Sequence, residues 1–384
     1  MTKQLATLAL AAVVFAACEP NRGVTEPQDA GVRASLVEQQ GDGPDGDSGP
    51  HAVYTITNQI AGNAVAVFAR AADGTLSPAG TVATGGTGTG AGLGSQGAVT
   101  LSNDGRLLFT VNAGSNDVSV FRVASNELSL LSRTPSGGTL PISVTVSHNV
   151  VYVLNAGGTG NITGFAIGAL GQLTPIAGST KSLSSSSANP AQVSFSANGR
   201  QLVVAEKGTN LLDVYPVDGD GVAGDRTSFA SVGGTPFGFA FGLHNVLFVS
   251  EAAAPGSASS YTLSRGGNAG VVSGAVLTHQ GAPCWAVVTA DGRFGYTGNG
   301  SGSVSGFRIA PDGSLRLLDA NGATAVVAGG LNDIALSKNS RYLYALGTGS
   351  VPAIYAFRIQ NDGGLEALGA VGTLPAGTRG LAAF

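Results

Sequence analysis

The sequence predicts an all-β protein, a seven-bladed β-propeller of four-stranded antiparallel blades. Three observations predict it: a strand pattern that returns about every fifty residues, turn dipeptides within and between the repeats, and a C-terminal strand that the first repeat lacks. Seven segments, centred on Tyr54, Phe109, Tyr152, Val203, Phe248, Tyr296 and Tyr344, set an aromatic residue or valine among alternating small and apolar neighbours, as a short strand does. Each is followed by a second such segment, around Phe68, Phe121, Phe165, Tyr215, Tyr261, Phe307 and Phe357, at spacings of 53, 44, 50, 46, 46 and 50 residues. Asp104-Gly105, Asn198-Gly199 and Asp291-Gly292 punctuate the inner hairpins, and Asp73-Gly74, Asp312-Gly313 and Asp362-Gly363 the outer ones. These residue types supply the backbone angles of tight turns. The 60 glycines are therefore mostly turn chemistry. The last residues, Arg379 to Phe384, match the inner strand that begins the other blades, such as Gln192 to Ser196. Pairing them with the strand at 52–57 completes the first blade and removes an edge that would otherwise be exposed to other chains.

The folded part begins near His51, and the residues before it read differently. Met-Thr-Lys precedes an apolar run, Leu5 to Ala17, which is too short to span a bilayer and has the order of a secretory signal. It ends Phe15-Ala16-Ala17-Cys18, resembling a bacterial lipoprotein box in which the cysteine is lipidated. The expected organisation is a signal peptide at 1–17, lipidated Cys18 with a solvated tether to residue 50, and the propeller at 51–384. Residues 19–50 carry seven carboxylates and almost no aromatic or periodic pattern. The chain is thus expected in the cell envelope, periplasmic or surface-exposed, held to a membrane by its N-terminal lipid.

Composition narrows the function. Only 11% of residues are charged, net charge is −4 and the isoelectric point is near 5.5, leaving no basic excess for phosphates, so nucleic acid is excluded as a partner. The glycine run Gly85 to Gly90 has neither the lysine nor the following helix of a phosphate loop, and no serine sits in a nucleophile elbow.

The stretches VTLSNDGRLLFTVNAGSNDVSVFRV (99–123), VSFSANGRQLVVAEKGTNLLDVYPVDGDG (193–221) and WAVVTADGRFGYTGNGSGSVSGFRI (285–309) resemble the bacterial propeller lactonases, whose relatives include 6-phosphogluconolactonases and carboxymuconate-lactonising enzymes. The resemblance covers residues 51–384 and implies a seven-bladed fold and hydrolysis of a small lactone; the chain is expected to be a monomer. The Pro-His-x-His loop that such enzymes show is absent from every blade. The alternative is a non-catalytic envelope propeller that binds a ligand or a protein partner.

In an antiparallel blade the end of the second strand and the start of the first share one rim of the central channel, so a pocket is expected there. Departures from the repeat on that rim supply the candidates. Glu206 and Glu251 replace asparagine at the second-strand end, where a carboxylate suits a general base toward water. Arg379 fits neither of the two repeated arginine positions and suits an oxyanion or a substrate carboxylate. His279, in the loop leading to Pro283-Cys284-Trp285, suits proton transfer. Gln192, Trp285, Asn299 and Asp333 complete the ring as substrate-binding positions, Trp285 by stacking. No cofactor or metal is required. Asn155, Glu206, Glu251, Asn299 and Asp333 supply the oxygen chemistry that a calcium ion takes, without a recognisable loop spacing.

Overall fold

The computed structural model describes residues 51–124 and 127–384. The expected signal, lipidation site and tether lie outside the described residues. Seven antiparallel sheets follow one another around a ring. Blade 1 comprises β1 (Ala52–Ile56), β2 (Ala64–Arg70) and β3 (Leu76–Ala83). Blade 2 has β4 (Val99–Leu101), β5 (Leu107–Asn112), β6 (Asp117–Ala124) and β7 (Glu127–Pro135). Blade 3 has β8 (Pro141–Ser147), β9 (Val150–Asn155), β10 (Asn161–Ile167), β11 (Leu173–Pro175) and β12 (Lys181–Ser182). Blade 4 has β13 (Pro190–Phe195), β14 (Gln201–Glu206), β15 (Leu211–Pro216) and β16 (Thr227–Ala230). Blade 5 has β17 (Pro236–Phe241), β18 (Val246–Glu251), β19 (Ser257–Leu263) and β20 (Ala269–Leu277). Blade 6 has β21 (Pro283–Val288), β22 (Phe294–Asn299), β23 (Ser303–Ile309), β24 (Leu315–Leu317) and β25 (Ala325–Val326). Blade 7 has β26 (Leu331–Leu336), β27 (Tyr342–Gly347), β28 (Ala353–Ile359) and β29 (Leu365–Gly372), and the chain ends in β30 (Arg379–Ala383).

The ring closes as the sequence predicts. β30 is the innermost strand of blade 1, pairing Val53 with Ala383 and Ile56 with Arg379. Thr55 Oγ1 donates to the Arg379 carbonyl at 3.1 Å, and Arg70 Nε to the Phe384 carbonyl at 3.2 Å.

Both faces of a blade pack on neighbouring blades, and the second strands show the consequence. β14, β18, β22 and β27 are buried at every position, with no alternation. The outermost strands face solvent, as in β3, which has no buried residue. The seven second-strand residues from Tyr54 to Tyr344 are fully buried, and none of the third-strand aromatics is more than 4% exposed. Burying one such side chain stabilises the fold by about 1.5–3 kcal/mol, and the row repeats around the ring. Three of the second-strand tyrosines also stitch their blade to the next. Tyr152 Oη donates to the Gly221 carbonyl, Tyr296 Oη to that of Gly363 and Tyr344 Oη to that of Gly74, at 2.7–3.1 Å. Gly74 has φ +90°, and a Cβ there would lie 2.3 Å from the Tyr342 ring, so turn geometry and blade contact both require glycine.

Candidate functional site

Cross-strand pairs place second-strand ends beside first-strand starts: Asn155 opposite Pro141, Glu206 opposite Pro190, Glu251 opposite Pro236, Asn299 opposite Pro283 and Gly347 opposite Leu331. In each of these five blades a register shift follows at once. Such a bulge re-aims side chains, here toward the open edge that the innermost strand turns to the channel. Ser143 Oγ accepts from the Val193 N–H at 3.2 Å. Gln192 bridges both backbone groups of Phe239, at 2.8 and 3.1 Å, and Asp333 Oδ2 accepts from the Leu381 N–H at 3.0 Å. Gln192 and Asp333 thus satisfy the next blade's inner strand. Burial pushes the Asp333 carboxyl well above the usual range.

The strand-end residues turn between blades. Glu206 is fully buried and accepts from Ser184 N–H at 2.8 Å, from Ser184 Oγ, and from Thr209 Oγ1 at 2.5 Å. Glu251 accepts from Ser231 Oγ and Gly233 N–H at 2.8 Å and from Ser257 and Ser259 Oγ at 2.6 Å. Asn299 Nδ2 donates to Ser303 and Ser305, and Asn155 Nδ2 to Asn161 and the Ser136 carbonyl. This row orients the connection arriving from the preceding blade or the next strand of its own. The five oxygen donors suited to calcium stand in five different blades: Asn155 Oδ1 is buried without a hydrogen-bond partner among the described residues, and the other four are held by their own surroundings. Among the described residues no group of three or more histidine, cysteine or acidic side chains could hold a metal.

Beside Glu206 lies a residue that the rim argument did not reach. Asp213, on β15, has a side chain with no exposure; it accepts from Ser228 Oγ at 2.5 Å and lies 3.4 Å from Arg226 Nε. Burial, then the neighbouring Glu206 charge, pushes its carboxyl up to about 7, with Ser228 and Arg226 opposing. Its counterparts across the second strand are Ala66, Ser119, Thr163, Ser259, Ser305 and Tyr355, so a lone acid in this row is a readable departure.

The channel mouth itself is covered. The glycine-rich segment between β3 and β4 runs along the blade 1 loop, where a Cβ on Gly88 would lie 2.1 Å from the Asn58 carbonyl carbon, and then crosses the axis. Ser95 Oγ donates to the Ile142 carbonyl in blade 3 at 2.8 Å, and Gln96 N–H to Ala191 in blade 4 at 3.1 Å. The Gln96 amide bridges both backbone groups of Ala286 in blade 6, at 2.8 and 2.9 Å. Trp285 Nε1 donates to the Ser95 carbonyl at 3.1 Å, and its ring meets Phe237 edge-on at 5.7 Å, leaving it 2% exposed. Lys207 Nζ donates to the Gly94 carbonyl and lies 4.8 Å from the Phe237 ring centroid. Lys207 was visible as a departure, since its counterparts are Asn58, Ala113, Ala156, Ala252, Gly300 and Thr348.

Arg379 opens β30 on this rim, 8% exposed, with Nη1 donating to the Thr378 carbonyl at 2.7 Å. His279 stands exposed on the β20–β21 loop with φ +55°. The structure thus brings Trp285, Gln96 and Lys207 onto one strap, sets Arg379 on the same rim, and sends Glu206, Glu251 and Asn299 into the layers between blades.

A seven-bladed propeller with a polar, strapped axial mouth is the class defined by this geometry. The family described as "Lactonase, 7-bladed beta-propeller" matches residues 48–149 and 141–239, and the chain belongs to it. No curated protein matches the sequence. Among solved structures, a Bacteroides fragilis protein provisionally assigned as a 6-phosphogluconolactonase superposes with a TM-score of 0.68 at 18% identity, covering 88% of this chain and 99% of its own. A periplasmic gluconolactonase from Pseudomonas aeruginosa gives 0.67 at 17%, covering 86% and 98%. A Lactobacillus plantarum protein gives 0.68 at 17%, covering 86% and 98%. At these identities the likeness is one of fold.

Proposed function

We propose that this chain is an exported, membrane-anchored hydrolase that opens a small lactone at the axial mouth. The observation that carries the reading is Arg379: in a member of the lactonase family, a guanidinium outside the repeated arginine positions stands at the first residue of the ring-closing strand, on the rim. In the reaction water adds to the lactone carbonyl, the ring C–O bond breaks, the leaving alkoxide takes up a proton, and a hydroxy acid is released. Arg379 stabilises the oxyanion and His279 carries the proton. Glu206 or Glu251 activates water only if one of its hydroxyl contacts opens, which for Glu206 means movement of Ser184. Gln192, Trp285, Asn299 and Asp333 shape the floor and its supports.

Proton release by the full-length protein in a pH-stat, across a lactone panel, tests the reading. Turnover that falls at least a hundredfold in Arg379→Lys at unchanged melting temperature supports it. Export and anchoring are tested by radiolabelled fatty acid incorporation that disappears in Cys18→Ala.

A second reading, a non-catalytic ligand-binding propeller, is favoured by the strap: Trp285 and Gln96 spend their polar atoms on backbone across the axis. Absence of turnover on every lactone, with saturable ligand binding that quenches Trp285, supports this second reading instead.

A further inference from the structure

On the face opposite the mouth, a groove of about 480 Å³ lies between blades 6 and 7, within the size range of small-molecule sites. Its lining holds three arginines, Arg293, Arg341 and Arg358, against one carboxylate, Asp291. Two of the guanidiniums are fixed in place. Arg293 Nη2 donates to the Asn361 carbonyl at 2.9 Å and lies over Phe294, and Arg358 Nη1 meets Glu366 at 3.1 Å. Arg293 Nη1 lies 3.7 Å from Asp291 Oδ2, Arg358 Nη2 donates to the Asp73 carbonyl of blade 1 at 3.4 Å, and both side chains remain about half exposed, at 54% and 41%.

The repeat shows what is unusual here. In blades 2, 4, 6 and 7 the inner hairpin is closed by Asp104, Asn198, Asp291 or Asn339, whose Oδ1 accepts from the preceding hydroxyl and from the backbone N–H of the following arginine. Where this residue is aspartate, its second oxygen lies near that arginine's side chain, at 3.9 Å for Arg106 and 3.7 Å for Arg293. Blade 7 has an amide instead. Asn198 is exposed and its amide meets water, whereas Asn339 Nδ2 is buried and has no hydrogen-bond partner among the described residues. A buried donor without an acceptor is costly, by about 1–3 kcal/mol. Here it stands on the wall of a groove with a cationic lining.

We propose that this groove binds a small organic or inorganic oxyanion, a carboxylate or a phosphate, which accepts from the half-exposed guanidiniums of Arg293 and Arg358 and, through a small shift of the groove wall, from the buried Asn339 Nδ2. The site is independent of the axial mouth and of the lactonase reading.

Calorimetric titration of the full-length protein with inorganic phosphate and with citrate, at constant ionic strength set by chloride, tests the proposal. Saturable binding of either is expected, and which anion binds more tightly identifies the head group. Asn339→Asp restores the carboxylate found in the equivalent turns of blades 2 and 6, so it folds, and it is expected to weaken binding at least tenfold. Arg293→Gln is expected to weaken it several-fold. Failure of both anions to saturate, or equal affinity in wild type and Asn339→Asp, overturns the proposal.

Discussion

Replacing Tyr152 by phenylalanine removes one oxygen atom from between two blades. In the native protein that hydroxyl donates to the Gly221 carbonyl and accepts from the Ala223 N–H, both at 2.7 Å, in a fully buried position. Its loss leaves one buried acceptor and one buried donor without partners, and at about 1–3 kcal/mol each the sum falls near 2–4 kcal/mol once some relaxation is allowed. An unfolding entropy of about 2.1 cal/mol/K per residue gives a propeller of this size roughly 0.7 kcal/mol/K, so the melting temperature should drop by about 3–6 °C. Tyr54 provides the control. It holds the equivalent place in blade 1 and is equally buried, but its hydroxyl finds no partner among the described residues. Tyr54→Phe should therefore leave the melting temperature within about 1 °C or raise it slightly. Thermal denaturation followed by circular dichroism measures both. A loss in Tyr54→Phe equal to that in Tyr152→Phe would show that the space left by the missing oxygen, and not the hydrogen bonds to Gly221 and Ala223, sets the cost at these positions.

Asp213 makes stability depend on pH. Its folded pKa, raised to about 7 from an ordinary value near 3.8, means that the native state holds the proton more tightly, so stability falls as pH rises from about 4 to 7. Asp213→Asn should flatten the urea midpoint across that window, and an unchanged slope would remove Asp213 as its source. Gln96→Ala breaks both contacts to Ala286 and should loosen the strap, at least doubling acrylamide quenching of Trp285, the one tryptophan. Quenching at the wild-type rate would mean that the Ser95 and Lys207 contacts hold the strap alone. Truncation after Thr378 removes β30 and the acceptors of Thr55 and Arg70, and should abolish the single cooperative unfolding transition. A truncated chain that melts in one transition within a few degrees of wild type would refute the closure as a stabilising element.

The fifty-residue period made the fold legible because every blade buries the same two rows of large side chains, from Tyr54 to Tyr344 and from Phe68 to Phe357, aromatic at every place but Val203. The same alignment located the rim but not the direction of its side chains. Glu206 and Glu251 lie at the expected strand ends, yet strand position alone does not tell a channel-facing carboxylate from one turned into the layer between blades. Hydroxyls at Ser184, Ser257 and Ser259 make that difference, and they lie 6 to 22 residues away in sequence. The strap was opaque for another reason. Gly85 to Gly94 has no apolar period, and its course is fixed by distant partners, Trp285 and Ala286 for Ser95 and Gln96, each 190 residues away. Lys207 and Asp213 were readable by the rule that picked out Arg379, as single charged residues in rows of small or hydroxyl side chains.

The direction in which β1 enters the ring also orients the whole molecule. Ile56, at its far end, pairs with Arg379 on the rim, whereas Ala52, at its near end, accepts the N–H of Phe384 on the opposite side, where that aromatic ring meets the hairpin at Gly105. Residue 51 therefore enters the ring on the hairpin side, the side that carries the arginine groove between blades 6 and 7, while the rim with Arg379 and the strap lies on the other face.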